Sequence, residues 1–193
     1  MKNYLFTFAL LVLISLGFLL SEPPKAATPP KVGEKIDSLD GVYVYYNGLI
    51  SHVKDRNVSK DGYNIGLRWQ CVEFVKRYYY EALNHKMPNS YGHAKHFYAP
   101  GLKDGQKNPD RNLRQFNNPS QYKPRRGEII IFDGNTWNPY GHVAIISAVT
   151  EKSIEIIQQN PGPKAKSRST FDLNDSKGLW TIEDTSVLGR LGK

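Results

Sequence analysis

"GLRWQCVEFVKRYYYEAL" occupies Gly66–Leu83 and holds the only cysteine of a 193-residue chain. Cys71, Phe74, Val75, Tyr78 and Ala82 recur at helical offsets, which places them on one face of an amphipathic helix. Glu73, Lys76, Arg77 and Glu81 fall mostly on other faces, and Glu73 reads as a structural ion pair or cap. This puts Cys71 in the first turn, where unpaired backbone N–H groups carry partial positive charge. A lone cysteine is commonly inert buried filler. At a helix N-terminus, with an imidazole nearby, a thiol is instead expected to ionise more readily and to act as a nucleophile.

The length suits one domain with a real hydrophobic core, and 39% hydrophobic residues with 12 tyrosines indicate a globular chain. One cysteine excludes an internal disulfide and a cysteine-rich metal site. The formal charge of +8 gathers in Lys103–Arg114, Lys123–Arg126 and Lys164–Arg168. Such charge reads as a solvated surface or as attraction to an anionic partner. No nucleic-acid motif accompanies it, so no nucleic-acid partner is expected.

Upstream, "GVYVYYNG" (Gly41–Gly48) predicts a short strand or an extended arm, and "SHVKDRNVSKDGYNIG" (Ser51–Gly66) a polar loop. Asn84–Arg126 predicts loops and helical turns, including "YGHAKHFYA" and "NLRQF". Strands follow at Glu128–Phe132, His142–Val149 and Ser153–Asn160, the last two forming a hairpin through Thr150-Glu151-Lys152. A helix carrying the cysteine, packed on an antiparallel sheet, is an α+β domain.

His142 opens its strand directly after a glycine, which makes it the candidate base. If Val149 pairs with Ser153, His142 faces Asn160 and has Gln158 as its diagonal neighbour on the same face. A four-residue turn would shift the register by one and bring Gln159 opposite instead. Cys71, His142, and Gln158 or Asn160 then supply nucleophile, base and orienter. The Cys71 backbone N–H is one oxyanion donor and Gln70 a candidate for a second. Trp69, Trp137 and Tyr140 either belong to the core or wall a substrate groove. His93 and His96 are three residues apart without a third ligand, His52 and His85 read as loop residues, and no metal or cofactor is expected.

The N-terminus reads separately. Residues 1–21 combine Lys2 with the apolar run "YLFTFALLVLISLGFLL", a signal peptide or an N-terminal membrane anchor. Residues 22–35 carry four prolines and predict an extended linker, leaving 36–193 as the folded domain. An exported or inner-membrane-anchored protein, with its domain outside the cytoplasm, follows as an expectation, as does a monomer.

"WQCVEFVKRYY", "PRRGEIIIF", "YGHVAIISAV" and "IEIIQQN", in this order, resemble the cysteine- and histidine-dependent amidohydrolase/peptidase (CHAP) family, which is papain-like. The likeness runs from about Val42 to Pro163, and within the family it is nearest to the amidase domain of glutathionylspermidine synthetase/amidase. The resemblance implies that Cys71 attacks an amide carbonyl and that His142 serves as base and then acid. The family's Glu-x-Asn pattern places the orienter at Gln158, where this chain has an amide in place of the usual carboxylate, with Asn160 matching the asparagine. The implied substrates are a peptidoglycan peptide or a glutathionyl–polyamine amide. A non-catalytic wall-binding shell is the alternative that the Gln158 departure favours.

Overall fold

The computed structural model describes residues 28–162 and 165–193. Residues 1–21, read as signal or anchor, and residues 22–27 of the proline-rich linker lie outside the described residues. Among the described residues no helix is long and apolar enough to cross a membrane.

Two small hairpins precede the helix: β1 (Lys35–Leu39) with β2 (Val42–Tyr45), and β3 (Arg56–Val58) with β4 (Asn64–Leu67). Helix α1 spans Cys71–Glu81. An eight-stranded antiparallel sheet follows, built from β5 (Lys107–Asn108), β6 (Leu113–Asn117), β7 (Ile129–Phe132), β8 (His142–Val149), β9 (Ser153–Ile157), β10 (Arg168–Ser176), β11 (Leu179–Ile182) and β12 (Val187–Gly192). Its order is β11-β10-β9-β8-β7-β12-β6-β5, so the last strand is threaded between β7 and β6. The described part is therefore mostly sheet, with one helix that carries the cysteine, an arrangement compatible with a papain-like CHAP fold.

Residues alternate across a strand, so β7 serves two cores at once. Ile129 and Ile131 meet Phe74, Val75, Tyr78 and Tyr79 of α1, together with Val143 and Ile145 of β8. Ile130 and Phe132 meet Ala144, Ile146, Ile154, Ile156 and Leu173 behind the sheet. This explains why "IIIF" is continuously apolar: both faces are covered.

Four expectations need correction. Ser51–Gly66 is not simply a loop, because it contains the β3–β4 hairpin. "NLRQF" is strand β6, held between β12 and β5, since tertiary pairing outweighs a weak local signal. The fold begins before Ile36: the Gly33 N–H donates to the Tyr46 carbonyl (2.8 Å) and the Tyr46 N–H to that of Glu34 (2.9 Å). On α1, Glu73, Lys76 and Arg77 are buried, whereas Ala82 is exposed. The β1–β2 and β3–β4 hairpins cover the face that periodicity assigns to solvent.

Candidate active site

Three structural features set the surroundings of the sulfur and the imidazole. First, α1 packs against β8, with Cys71 at the first position of the helix and Gln70 as its extended N-cap. Second, the backbone N–H of Val143, the residue next to His142, acts on the Cys71 thiol along with the N–H groups at its own helix start, each favouring the thiolate. Third, β8 begins at His142, paired with Phe132 of β7.

The loop before His142 is shaped by asparagine side chains. Asn135 Oδ1 accepts from the Trp137 and Asn138 N–H groups (2.9 and 2.8 Å), and Asn138 Nδ2 donates to the Gly141 carbonyl (2.9 Å). Gly141 adopts φ 76°, and a Cβ there would meet the Phe132 carbonyl oxygen at 2.5 Å. Only glycine fits, which explains its place before the histidine.

The His142 Nε2 is 3.0 Å from Gln158 Oε1. The Gln158 amide is oriented by its other end, because Nε2 donates to the Lys166 carbonyl and the Ser169 hydroxyl, both at 3.1 Å. Its oxygen must therefore face the ring. An amide oxygen only accepts, so the His142 Nε2 carries the proton and Nδ1 keeps a free lone pair.

The hairpin reaches this register by a route other than the three-residue turn. Val149 pairs with Ile154 and Ala148 with Glu155, the one-residue shift of a longer connection, and the Thr150 N–H closes on the Ser153 carbonyl (2.8 Å). An irregularity between Ile146 and Ala148 then cancels the shift, so Ile146 pairs with Ile156 and Ile145 with Ile157. Strand β9 ends at Ile157, short of the expected Asn160.

Beyond Ile157 the chain turns, with Asn160 at φ 55°, and three consecutive amides take different partners. Gln158 holds the ring. Gln159, fully buried, donates to the Gln70 carbonyl (3.0 Å) and Glu73 Oε2 (2.9 Å) and accepts from the Tyr45 N–H (2.8 Å). Asn160 points away from His142, donating to the Ile50 carbonyl (3.0 Å) and Gln70 Oε1 (2.8 Å). Of the two candidate orienters, Gln158 is the one whose amide meets His142.

Glu73 forms the structural ion pair expected of it, while its burial with Gln159 is what periodicity and spacing overlooked. Glu73 pairs with Arg77 (2.7 Å) and accepts from Asn57 Nδ2 (2.8 Å), so one buried network ties the helix start to β2, β3 and the segment after β9. The only sequence signal was the unbroken amide triplet of Gln158–Asn160.

Gln70 does not supply a second oxyanion donor in this arrangement. Its Nε2 donates both protons to the Ile50 (3.2 Å) and His52 (2.7 Å) carbonyls. Trp69 stacks on Tyr45, centroids 4.1 Å apart, and is half-buried. Trp137 is 96% exposed and so is no part of the core, while the exposed Tyr140 leans on His93 (centroids 4.5 Å). His93 and His96 sit on a 3-10 turn whose backbone they cap, and His85 is buried against the Arg111 carbonyl.

Burial sets the charge state. It pushes the Cys71 thiol above its ordinary value, with the nearby N–H groups of Val143, Val72 and Cys71 opposing the rise. It also holds His142 down at about 4, against the upward pull of Gln158. The expectation of a thiol acidified by the helix terminus does not hold here, because desolvation outweighs the dipole. Both shifts favour the neutral forms, thiol and imidazole. Formed together, thiolate and imidazolium would offset part of each other's burial cost.

Comparison with known proteins places residues 60–160 under the CHAP domain family model. The bifunctional glutathionylspermidine synthetase/amidase of Escherichia coli is 29% identical over 137 residues, covering 65% of this chain and 22% of that protein. Trypanothione synthetase of Crithidia fasciculata is 27% identical over 122 residues, covering 62% of this chain and 19% of its own length. The chain thus spans about a fifth of the curated relatives it matches. A crystal structure of Ly7917 with the hydrolyzing product of MDP overlaps 38% of this chain and 29% of its own, at 27% identity and a TM-score of 0.28.

Proposed function

The chain belongs to the CHAP domain family, and on that premise we propose that it is a cysteine amidase or peptidase that cleaves an amide bond through a thioester. The observation that carries this reading is an imidazole whose tautomer Gln158 sets, at the start of the strand on which the cysteine-bearing helix packs. His142 Nδ1 takes the thiol proton as sulfur attacks the amide carbonyl carbon. The Cys71 N–H faces the developing oxyanion. The amide C–N bond then breaks, the proton passes from His142 to the leaving amine, and a thioester remains. Water, deprotonated by His142, hydrolyses the thioester to a carboxylic acid and returns the thiol. A neutral resting pair suits this sequence, since an imidazole must be unprotonated to act as base.

The proposed substrate is an amide of peptidoglycan. The apolar residues 1–21, the proline-rich 22–35 and the basic charge support a domain held at the cell envelope, outside the cytoplasm. The relatives named for glutathionylspermidine and trypanothione chemistry favour a second reading, a small glutathione–polyamine amide. Mass spectrometry of products from purified muropeptides and from glutathionylspermidine tests both. New carboxyl and amine termini from muropeptides, absent with Cys71→Ala and His142→Ala, are expected. Cleavage of glutathionylspermidine alone selects the second reading. No cleavage of either would leave a shell that binds wall peptide without cutting it.

A further inference from the structure

A cationic groove lies at the β5 edge of the main sheet. Lys107 on β5 is directly opposite Arg114 on β6, and Arg114 is opposite Gly192 on β12. Two hollows of about 310 and about 190 Å3 share Arg114 and Lys193 in their walls. Lys107 borders the first, and Lys123, Arg125 and Tyr122 border the second. Two of the three basic clusters in the sequence, Lys103–Arg114 and Lys123–Arg126, thus meet along one line.

Of the nearby carboxylates, Glu151 offsets one groove cation, Lys123, and the others are engaged elsewhere. Glu128 is taken by the buried Arg190, Asp104 by the Asn117 and Gln121 N–H groups and the Ser120 hydroxyl, and Glu151 by Lys123. Lys107, Arg114 and Arg125 are exposed and, among the described residues, form no ion pair. Like charges directly opposed across strands are destabilising. One edge lysine is enough to deter pairing at a two-residue edge strand; the arginine facing it and the cations beyond need another reason. The site is also far from the catalytic end. From His142 to Arg114 is about four residues along the strands and three strands across, roughly 20 Å.

We propose that this groove binds a linear polyanion that carries phosphate groups along its backbone and no bases, holding the domain on an anionic matrix while the Cys71 end stays free. An open groove leaves a single phosphate hydrated, whereas a chain gains from several contacts and from counterion release. A lipid surface fits less well, since the exposed apolar residues Leu49, Ile50 and Val53 belong to a different segment, the loop bonded to Gln70. Single-stranded nucleic acid uses a run of stacking aromatics, and the exposed aromatic lining this groove is Tyr122.

The test is calorimetric titration of the full chain with short-chain inorganic polyphosphate over a range of salt, beside orthophosphate, phosphatidylglycerol vesicles and a single-stranded DNA oligonucleotide. The double variant Lys107→Gln/Arg114→Gln should weaken polyphosphate binding about tenfold and reduce the log–log salt slope by about 1.4, two contacts at ~0.7 each. The equal-charge control Lys60→Gln/Lys152→Gln should bind as wild type does. Lys107→Gln/Arg114→Gln should also melt at a higher temperature in low salt, because the opposed like charges are gone. Absent polyphosphate binding, an equal loss in the control, or a melting temperature that does not rise would overturn the proposal. So would a groove-dependent affinity greater for vesicles, DNA or orthophosphate than for polyphosphate. None of these readouts depends on hydrolysis.

Discussion

Replacing Gln158 by glutamate puts a carboxylate on the His142 ring. The contact it modifies is short, 3.0 Å between Gln158 Oε1 and His142 Nε2. Unit charges about 4 Å apart attract by about 4 kcal/mol at an effective dielectric of ~20. The second carboxylate oxygen would replace an Nε2 that now donates to the Lys166 carbonyl. Repulsion from that carbonyl turns the group partly away from the ring, so about half the attraction, about 2 kcal/mol, is expected to act on the imidazolium. That is a ~30-fold gain in the charged form. The direction is upward from about 4, toward neutral pH, so a thiolate–imidazolium pair becomes more populated. The assay is the rate of iodoacetamide alkylation of Cys71, unambiguous because the chain has no other cysteine. Wild type should alkylate slowly at pH 7, and Gln158→Glu roughly 30-fold faster, with its reactive limb beginning at lower pH. An unchanged or slower rate in a variant whose circular dichroism matches wild type would refute the coupling of Gln158, His142 and Cys71.

Other changes have distinct expected signatures. Asn160→Ala should leave the alkylation pH profile as in wild type, because its amide braces Ile50 and Gln70, while limited proteolysis within 48–54 speeds up. Gln159→Leu strips a partner from the buried Tyr45 N–H and from Glu73, and denaturant melts should show a loss of about 2–4 kcal/mol. Glu73→Leu leaves Arg77 buried without its carboxylate, and a loss of about 3–5 kcal/mol is expected from urea unfolding. Burial lowers Lys76 to about 7, its Nζ held by the Asn64 and Ser90 carbonyls. Between that value and the ordinary lysine range the unfolded chain binds more protons, so stability rises with pH across the window. Lys76→Met should flatten that rise in melting temperature.

The extent of the helix was readable because its apolar residues repeat at 3.6-residue spacing and because Cys71 opens the run. Its burial was not: Glu73, Lys76 and Arg77 look like a solvent face until the β1–β2 and β3–β4 hairpins close over them. "EIIIF" and "HVAIISAV" declared strands through β-branched content, and the glycine before His142 announced the corner that carries the candidate base. β6 and β12 stayed illegible, since their pairing depends on residues some seventy positions apart.

By itself the sequence determined the chemistry on offer: one thiol, an imidazole behind a glycine, and three consecutive amides, on elements with clear local periodicity. Tertiary structure alone decided how these are used. Local periodicity reports which way a side chain faces relative to its own element, not which neighbours cover it. Hence packing set α1 against β8, the irregularity near Ser147 restored the register, and the turn at Asn160 assigned each amide its partner. Desolvation depends on the whole surrounding shell, and so the neutral resting state of thiol and imidazole became visible only in the fold.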